Sequence, residues 1–429
     1  MADVTRRAGM ATVAVAAGLV GASAVLGAAA CSDPTNTTSS GVTYFKDAKP
    51  ILDAKCSQCH YEGGIAPFSL KTYADASKHA SAIKGAVNAR TMPPWLADDD
   101  CNSYEADRSL TEEQIATLTK WVDGDAAEGD PADEPAPLAT YKGLSRVDRT
   151  LGMAASYTPT KEPDDYRCFV IDWPETSVKY LTGFRAKPGE ARVVHHVIAF
   201  LASGDDAKTA TDKDAAEPGA GYTCYGGPGF NSAGWLGSWA PGGAGSDYPA
   251  GTGVRIEPGS KVVLQVHYNT LTAGPLPDLT SVEMKLDDAV EKEAHIQPWA
   301  NPKWLTQGGM PIPPATEGVH FEWAFDPTAP FAQGKPITIY SVGLHMHQLG
   351  HTATLGVAKK SGGDQCLLDI PEWNFHWQGS YQLTQPFVLE PGDKLALSCD
   401  FDNPTMGMVD WGEGTEDEMC LGVFYYTVN

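Results

Sequence analysis

Cys56-Ser57-Gln58-Cys59-His60 sets two thiols three residues apart, with an imidazole directly after the second. Thiols at this spacing can bond to the two vinyl groups of one haem while the adjacent imidazole takes an axial position on the iron. A lone CxxC can also belong to a zinc or redox site, but no second CxxC stands among the nine cysteines to complete a zinc site. The expectation is therefore one covalently attached c-type haem, held by Cys56, Cys59 and His60. Met92, in Arg90-Thr91-Met92-Pro93-Pro94-Trp95, is the candidate sixth ligand and His79 its rival. A thioether ligand raises the haem potential, which suits an electron carrier better than an oxygen binder.

The histidines carry a second pattern. His195 and His196 are adjacent, and His267 lies in Leu264-Gln265-Val266-His267-Tyr268-Asn269. Neighbours on an ideal strand point to opposite faces, so joint ligation by the pair needs a strand end or a bulge that re-aims one ring. Without that, one is a core and the other a surface histidine. His345-Met346-His347 is geometrically stronger, because residues two apart share a strand face. Met419, in Thr415-Glu416-Asp417-Glu418-Met419-Cys420, offers a third ligand. Two imidazoles and a thioether favour copper, above all Cu(I), over zinc. Singly, an HxH can be an exposed strand face and a Met can be core packing.

The elements that must position these groups follow from length and composition. A chain of 429 residues exceeds one ordinary core, and three folded units are expected. Residues 1–30, with Arg6 and Arg7 before an apolar Ala/Val/Gly run, predict an export signal. Cys31 then begins a tether over 31–41, either as a lipid-attached residue or after simple cleavage at an Ala-x-Ala site; a permanent membrane span is not expected. Residues 42–125 predict a small all-α unit, with Ser109-Leu110-Thr111-Glu112 as a capping box for a helix presenting Ile115, Leu118, Trp121 and Val122. An acidic Ala/Pro linker is expected over 126–150. Beyond it, 44 glycines, 31 prolines and runs such as Val262 to Tyr268, Ile337 to Leu344 and Leu421 to Val428 predict two all-β sandwiches, 151–288 and 289–429. A net charge of -23 excludes nucleic acid and anionic membrane surfaces as partners. The expected location is the periplasm or outer cell envelope.

Residues 42–125 resemble a bacterial cytochrome c domain through CxxCH and Met-Pro-Pro-Trp. From about residue 160 to the end, a second resemblance appears. His-His after an apolar run, LQVHY, HxHxLG and Asp-Glu-Met-Cys before an aromatic strand occur in the order of the copper type II monooxygenases, the family of peptidylglycine α-hydroxylating monooxygenase and dopamine β-monooxygenase. The resemblance implies two jelly-roll sandwiches of nine strands each, flanking a solvent-filled cleft. It implies two coppers: one for electron transfer on His195, His196 and His267, and one on His345, His347 and Met419 where O2 binds and a C–H bond is attacked. It places Gln265 near the first copper and pairs Cys399 with Cys420 to pin the Met419 loop. Cys168 and Cys224 form a second candidate pair, and Cys101 and Cys366 have no partners assigned.

Departures bear on the substrate. Where peptide-amidating members carry an Arg before the HxH and an Asn and a Tyr after the Met-Cys pair, this chain has Gly343, Leu421 and Val423. An apolar or neutral small molecule is expected as substrate, with O2 and with ascorbate or a redox protein as electron donor. The fused haem would feed single electrons to the copper. Two rival readings are a non-catalytic electron-transfer or copper-storage protein and a redox-sensing binding module. His79, His295, His320, His351 and His376 are otherwise read as packing or surface residues.

Overall fold

The computed structural model describes residues 41–62, 66–138, 143–230, 234–241, 243–271 and 273–429. The expected export signal and Cys31 lie outside the described residues. No described helix is long and apolar enough to cross a membrane.

The first half of the β body supplies β1 (Arg149–Gly152), β2 (Asp164–Asp172), β3 (Lys179–Lys187), β4 (Val194–Ala202), β5 (Tyr222–Thr223), β6 (Gly234–Trp239), β7 (Ser246–Asp247), β8 (Thr252–Ile256), β9 (Lys261–Asn269) and β10 (Ser281–Asp287). The second supplies β11 (Lys292–Trp299), β12 (Thr316–Phe325), β13 (Ile337–His345), β14 (Gly350–Ala358), β15 (Asp364–Ile370), β16 (Ser380–Leu389), β17 (Lys394–Asn403) and β18 (Leu421–Val428). Three sheets result. A five-stranded sheet, β5-β2-β9-β4-β6, backs the first half and a four-stranded one, β12-β17-β14-β15, backs the second. A nine-stranded sheet, β1-β10-β3-β8-β11-β18-β13-β16 with β7 on β3, runs through both. Its halves join where β11 pairs in parallel with β8 and antiparallel with β18. The expected sandwiches are present, but they share one sheet instead of holding nine strands each.

Burial follows strand position. On β17 every second residue is inward, from Leu395 through Leu397, Cys399 and Phe401, as period-two alternation requires where one face is covered. The central strand β9 is buried on both faces instead. Val262, Leu264, Val266 and Tyr268 enter the main core of the first half, while Val263 packs with Cys168, Phe200 and Tyr222 beneath the helix Asp205–Ala216. Hence it reads as a continuous apolar run.

Helices Lys49–Lys55, Tyr73–Lys78, Ala80–Asn88 and Glu112–Asp123 bury a small cluster around Leu52, Ile83, Leu118 and Trp121. The capping box of the last helix sits two residues later than expected: Thr111 caps, its hydroxyl accepting from the Gln114 amide at 3.2 Å and its own amide donating to the Gln114 side chain at 3.0 Å. The helical segment is not a free-standing unit. Ala97 and Tyr104 belong to the core of the second sandwich. The first part of the expected linker folds back, with Ala127 and Glu128 accepting from the amides of Tyr44 and Phe45.

Three disulfides occur among the described residues: Cys101–Cys366, Cys168–Cys224 and Cys399–Cys420. The first corrects the sequence reading, which gave Cys101 and Cys366 no partners; 265 residues separate them and no local pattern joins them. Disulfides of this number point to an exported or extracellular protein. Cys399 on β17 and Cys420 just before β18 join the two sheets of the second sandwich next to Met419.

Candidate metal centre

In the five-stranded sheet, Tyr166 on β2, His267 on β9 and His196 on β4 are cross-strand partners in one row. The β4–β9 register shifts between Val194 and His196, so His195 sits at a bulge. That bulge turns its ring to the same side as its neighbour. Ring centroids lie 5.7 Å apart for His195 and His196, 5.0 Å for His195 and His267, and 4.7 Å for His196 and His267. One nitrogen from each of the three lies within 4.8 Å of the others.

The tautomers are fixed from outside. His267 Nε2 is 2.8 Å from Asp164 Oδ1, a carboxylate that also accepts from Thr415 and Asn269. Burial pushes the Asp164 carboxyl up, but hydrogen bonds from His267 and Thr415 outweigh it and hold the group well below the usual range. As an obligate acceptor, Asp164 places the His267 proton on Nε2 and leaves Nδ1 free, 3.3 Å from His196 Nδ1. Two imidazole nitrogens this close without a carboxylate between them suit a shared cation. Both ring nitrogens of His195 are buried without a partner, a costly state that a metal bond would relieve. Burial lowers His195 to about 3 and also depresses His196 and His267, so all three are neutral donors at neutral pH.

In the second half, His345 ends β13 and His347 follows two residues on, with ring centroids 5.1 Å apart. Met346 between them is fully buried in the core. His345 pairs with Leu421 as the last pair of the β13–β18 ladder, which brings the end of β13 beside the segment that carries Met419, two residues before Leu421. Burial lowers His345 to about 4 and His347 to about 3. His345 Nδ1 meets Gln378 Oε1, and His347 Nδ1 lies 2.9 Å from the Asp417 carbonyl. Both contacts are to acceptors, which leaves Nε2 of each ring free to bind metal. Glu418, fully buried, gathers the amides of His347 at 2.9 Å, Met419 at 3.2 Å and Leu349. One carboxylate thus orders the HxH turn and the Met419 loop together.

The two sets are not divided by an open cleft. The His196 and His345 rings lie 6.2 Å apart, and Phe375 stacks on His195 at 4.5 Å with His347 at 6.0 Å. Five imidazoles thus form one cluster, His267 and His347 buried and His195, His196 and His345 half-buried, so the two sets approach more closely than the expected wide gap. The Phe375 ring packs against a histidine of each set, and Thr415 bonded to Asp164 ties the Met419 loop to β2. Gln265 donates to the Cys224 carbonyl at 3.0 Å, so its contact is with the disulfide segment. Asp164, Thr415, Gln378, Phe375 and Glu418 were missed by sequence reasoning; Asp164 and Glu418 each stand among other acids, at Glu162 to Asp165 and Glu416 to Glu418, so no local signal singled them out.

In the helical segment, Cys56 and Cys59 are both free thiols, and burial pushes Cys56 up to about 12. The His60 amide donates to the Cys56 carbonyl at 3.0 Å, and His60 Nδ1 lies 3.1 Å from the Phe68 carbonyl. That leaves Nε2 available, and the unpaired thiols fit thioether attachment of a haem. His79 is stacked on Phe68 at 4.0 Å. Met92 is half-buried in the loop that leads to Trp95.

Residues 151–274 match the N-terminal domain of the copper type II ascorbate-dependent monooxygenases, and residues 304–429 match the C-terminal domain. The chain belongs to that family. Each matched segment contains one of the two candidate ligand sets: His195, His196 and His267 in the first, His345, His347 and Met419 in the second. This copper monooxygenase is accordingly an oxidoreductase, and the non-enzymatic readings of the sequence fall away. No protein of curated function matches the chain significantly. Among solved structures, PNGase F, a glycosylasparaginase from Flavobacterium meningosepticum, is similar at 9% identity over 66% of this chain and 96% of that one, with a TM-score of 0.29. Recombinant N-glycanase F is similar at 10% identity, 66% and 95% coverage and a TM-score of 0.30. Both likenesses are remote.

Proposed function

We propose that this monooxygenase hydroxylates a C–H bond of a small apolar or neutral organic substrate with O2. In this reading His195, His196 and His267 hold an electron-transfer copper, and His345, His347 and Met419 hold the copper at which substrate is attacked. A c-type haem on Cys56 and Cys59, with His60 and Met92 as axial ligands, delivers electrons supplied by ascorbate or a redox protein. The enzyme works in the periplasm or outer envelope, tethered through Cys31 if that residue is lipidated.

The observation that carries the reading is the convergence of five neutral imidazoles, two buried and three half-buried, with both nitrogens of His195 left unpartnered. Bound copper supplies one-electron redox steps and the reaction with O2. The protein's own groups do the rest. Asp164, Gln378 and the Asp417 carbonyl set which nitrogen of each ring is free. The thioether of Met419 favours Cu(I) in the second set, and Phe375 keeps water from the space above His195 and His347. Gly343, Leu421 and Val423 offer no charge to anchor a carboxylate, so binding energy must come from apolar contact.

Metal and haem analysis of purified protein, joined to a substrate screen under O2 with ascorbate, tests the proposal. Two coppers and one haem per chain are expected, with hydroxylation of neutral substrates and none of glycine-extended peptides. Fewer than two coppers, or peptide amidation, would overturn it.

A further inference from the structure

Residues 95–105 fasten the helical segment to the second sandwich at several independent points. Cys101 is bonded to Cys366. The Asp98 amide donates to the Asp369 carbonyl at 2.9 Å, Glu105 to Gln382 at 2.7 Å, and Thr384 to Ser103 at 3.0 Å. Tyr104 bridges to Leu383 and its hydroxyl donates to the Leu367 carbonyl at 3.0 Å. The fastening buries an aromatic cluster. Trp95 meets Tyr381 edge-on at 5.0 Å, and Tyr104 lies 5.3 Å from Tyr381 and 6.1 Å from Trp95.

Arg108 connects this cluster to the CxxCH segment, and Gln378, three residues before Tyr381, connects it to His345. Trp95 stands three residues after Met92, and the Arg108 guanidinium lies 5.8 Å over the Trp95 ring. The same guanidinium bears electrostatically on both the Cys59 thiol and the Tyr381 hydroxyl. The indole nitrogen of Trp95 is buried without a partner. From Tyr381 the chain runs back three residues to Gln378, whose side chain is hydrogen-bonded to His345. Tyr381 is also paired with Val342, three residues before His345 on β13. The described hydrogen bonds of residues 95–105 to the β body all go to this second sandwich, and none of these residues enters the core beneath His195, His196 and His267.

We propose that the Trp95–Tyr381 contact is an electron bridge that carries single electrons from the haem to the His345/His347/Met419 copper without passing through the His195/His196/His267 copper. The inference rests on the function proposed above. Each passage oxidises one ferrous haem to ferric and reduces one Cu(II) to Cu(I), with no bond made or broken. Ascorbate, a one-electron donor, returns the haem to the ferrous state; one passage supplies one of the two electrons of a hydroxylation, and the copper on His195, His196 and His267, itself reduced by ascorbate, supplies the other. The aromatic rings serve as a short covalent and van der Waals path and keep their electrons. The disulfide keeps both ends at fixed separation, so transfer is intramolecular and independent of protein concentration.

The test uses the full chain loaded with haem and copper, kept anaerobic, with a photochemical pulse that reduces haem alone. Haem reoxidation is followed by its visible bands, and the Cu(II) signal lost first is identified by electron paramagnetic resonance. The expected result is early loss of the signal removed by H347A, and reoxidation slowed by more than an order of magnitude in Trp95→Leu and Tyr381→Leu. Tyr381→Phe, which keeps the ring, should restore the rate, and in wild type the Cu(II) signal that His267→Ala removes should be lost later than the one H347A removes. If haem and both coppers are present and His267→Ala abolishes reoxidation while Trp95→Leu and Tyr381→Leu do not slow it, the bridge is wrong and the proposed function stands. If wild-type protein holds no haem, both fail together.

Discussion

Asp164 and Thr415 are joined by two hydrogen bonds, the Thr415 hydroxyl at 2.6 Å and its amide at 3.1 Å, although 251 residues separate them. Asp164 lies on β2 under His267, and Thr415 opens the loop that ends in Met419. One carboxylate therefore orients a ligand of the first set and braces the loop of the second. Replacing Asp164 with Ala should cost the His195/His196/His267 set about 10–100-fold in copper affinity, the usual effect of losing a carboxylate behind a ligating imidazole. Competition with a chelator, read separately for each copper by electron paramagnetic resonance, checks this; equal affinity in variant and wild type would contradict it.

Phe375 lies against His195 at 4.5 Å and His347 at 6.0 Å, and in the proposed function it is the side chain a substrate would meet. Phe375→Ala should admit water, raise the fraction of O2 released as hydrogen peroxide and widen the range of substrates accepted. The ratio of product formed to O2 consumed measures it. A ratio and a substrate range identical to wild type would show that the ring is only packing.

Glu418 is fully buried, and burial raises its carboxyl to about 7 even though backbone amides of His347, Leu349 and Met419 donate to it. Glu418→Ala would strand those amides, each at about 1–3 kcal/mol for a buried unsatisfied group. We expect a large loss of stability in denaturant titration and loss of copper from the Met419 set before the other. Retention of that copper at wild-type affinity would argue against the ordering role.

The copper-free protein should weaken in mild acid. Burial holds His195 and His347 at about 3 and His345 at about 4, below the ordinary histidine value of about 6.5. Between these limits the unfolded chain binds protons that the folded one refuses, so stability is full above the ordinary value and falls as pH drops toward 4. Thermal midpoints of the copper-free protein from pH 7 to pH 5 measure this, and a midpoint that rises on acidification would sink the prediction. His347→Phe should flatten the slope.

Much of the candidate site could be read from residue order because strand geometry is periodic. His345 and His347 share a face by period two, and LQVHY reads as a buried strand because β9 is covered on both sides. Even Gly350 of the HxHxLG stretch has a local cause: a Cβ there would come within 2.9 Å of Met346 and Trp373. The cysteines show the limit of such reading. Cys399 and Cys420 were pairable by likeness to a family, whereas Cys101 and Cys366 meet only because residues 95–105 leave the helices to dock on β15 and β16.

Residue types and spacings were enough to name the candidate ligands, the β-rich body and the CxxCH segment, since these depend on chemistry and period alone. The bulge that turns His195 beside His196, the carboxylate that ties His267 to the Met419 loop and the 6.2 Å approach of His196 to His345 were settled by tertiary structure. Each depends on how β8 meets β11 and how distant loops pack against one another. Contacts between segments hundreds of residues apart leave no periodic trace in the chain that makes them.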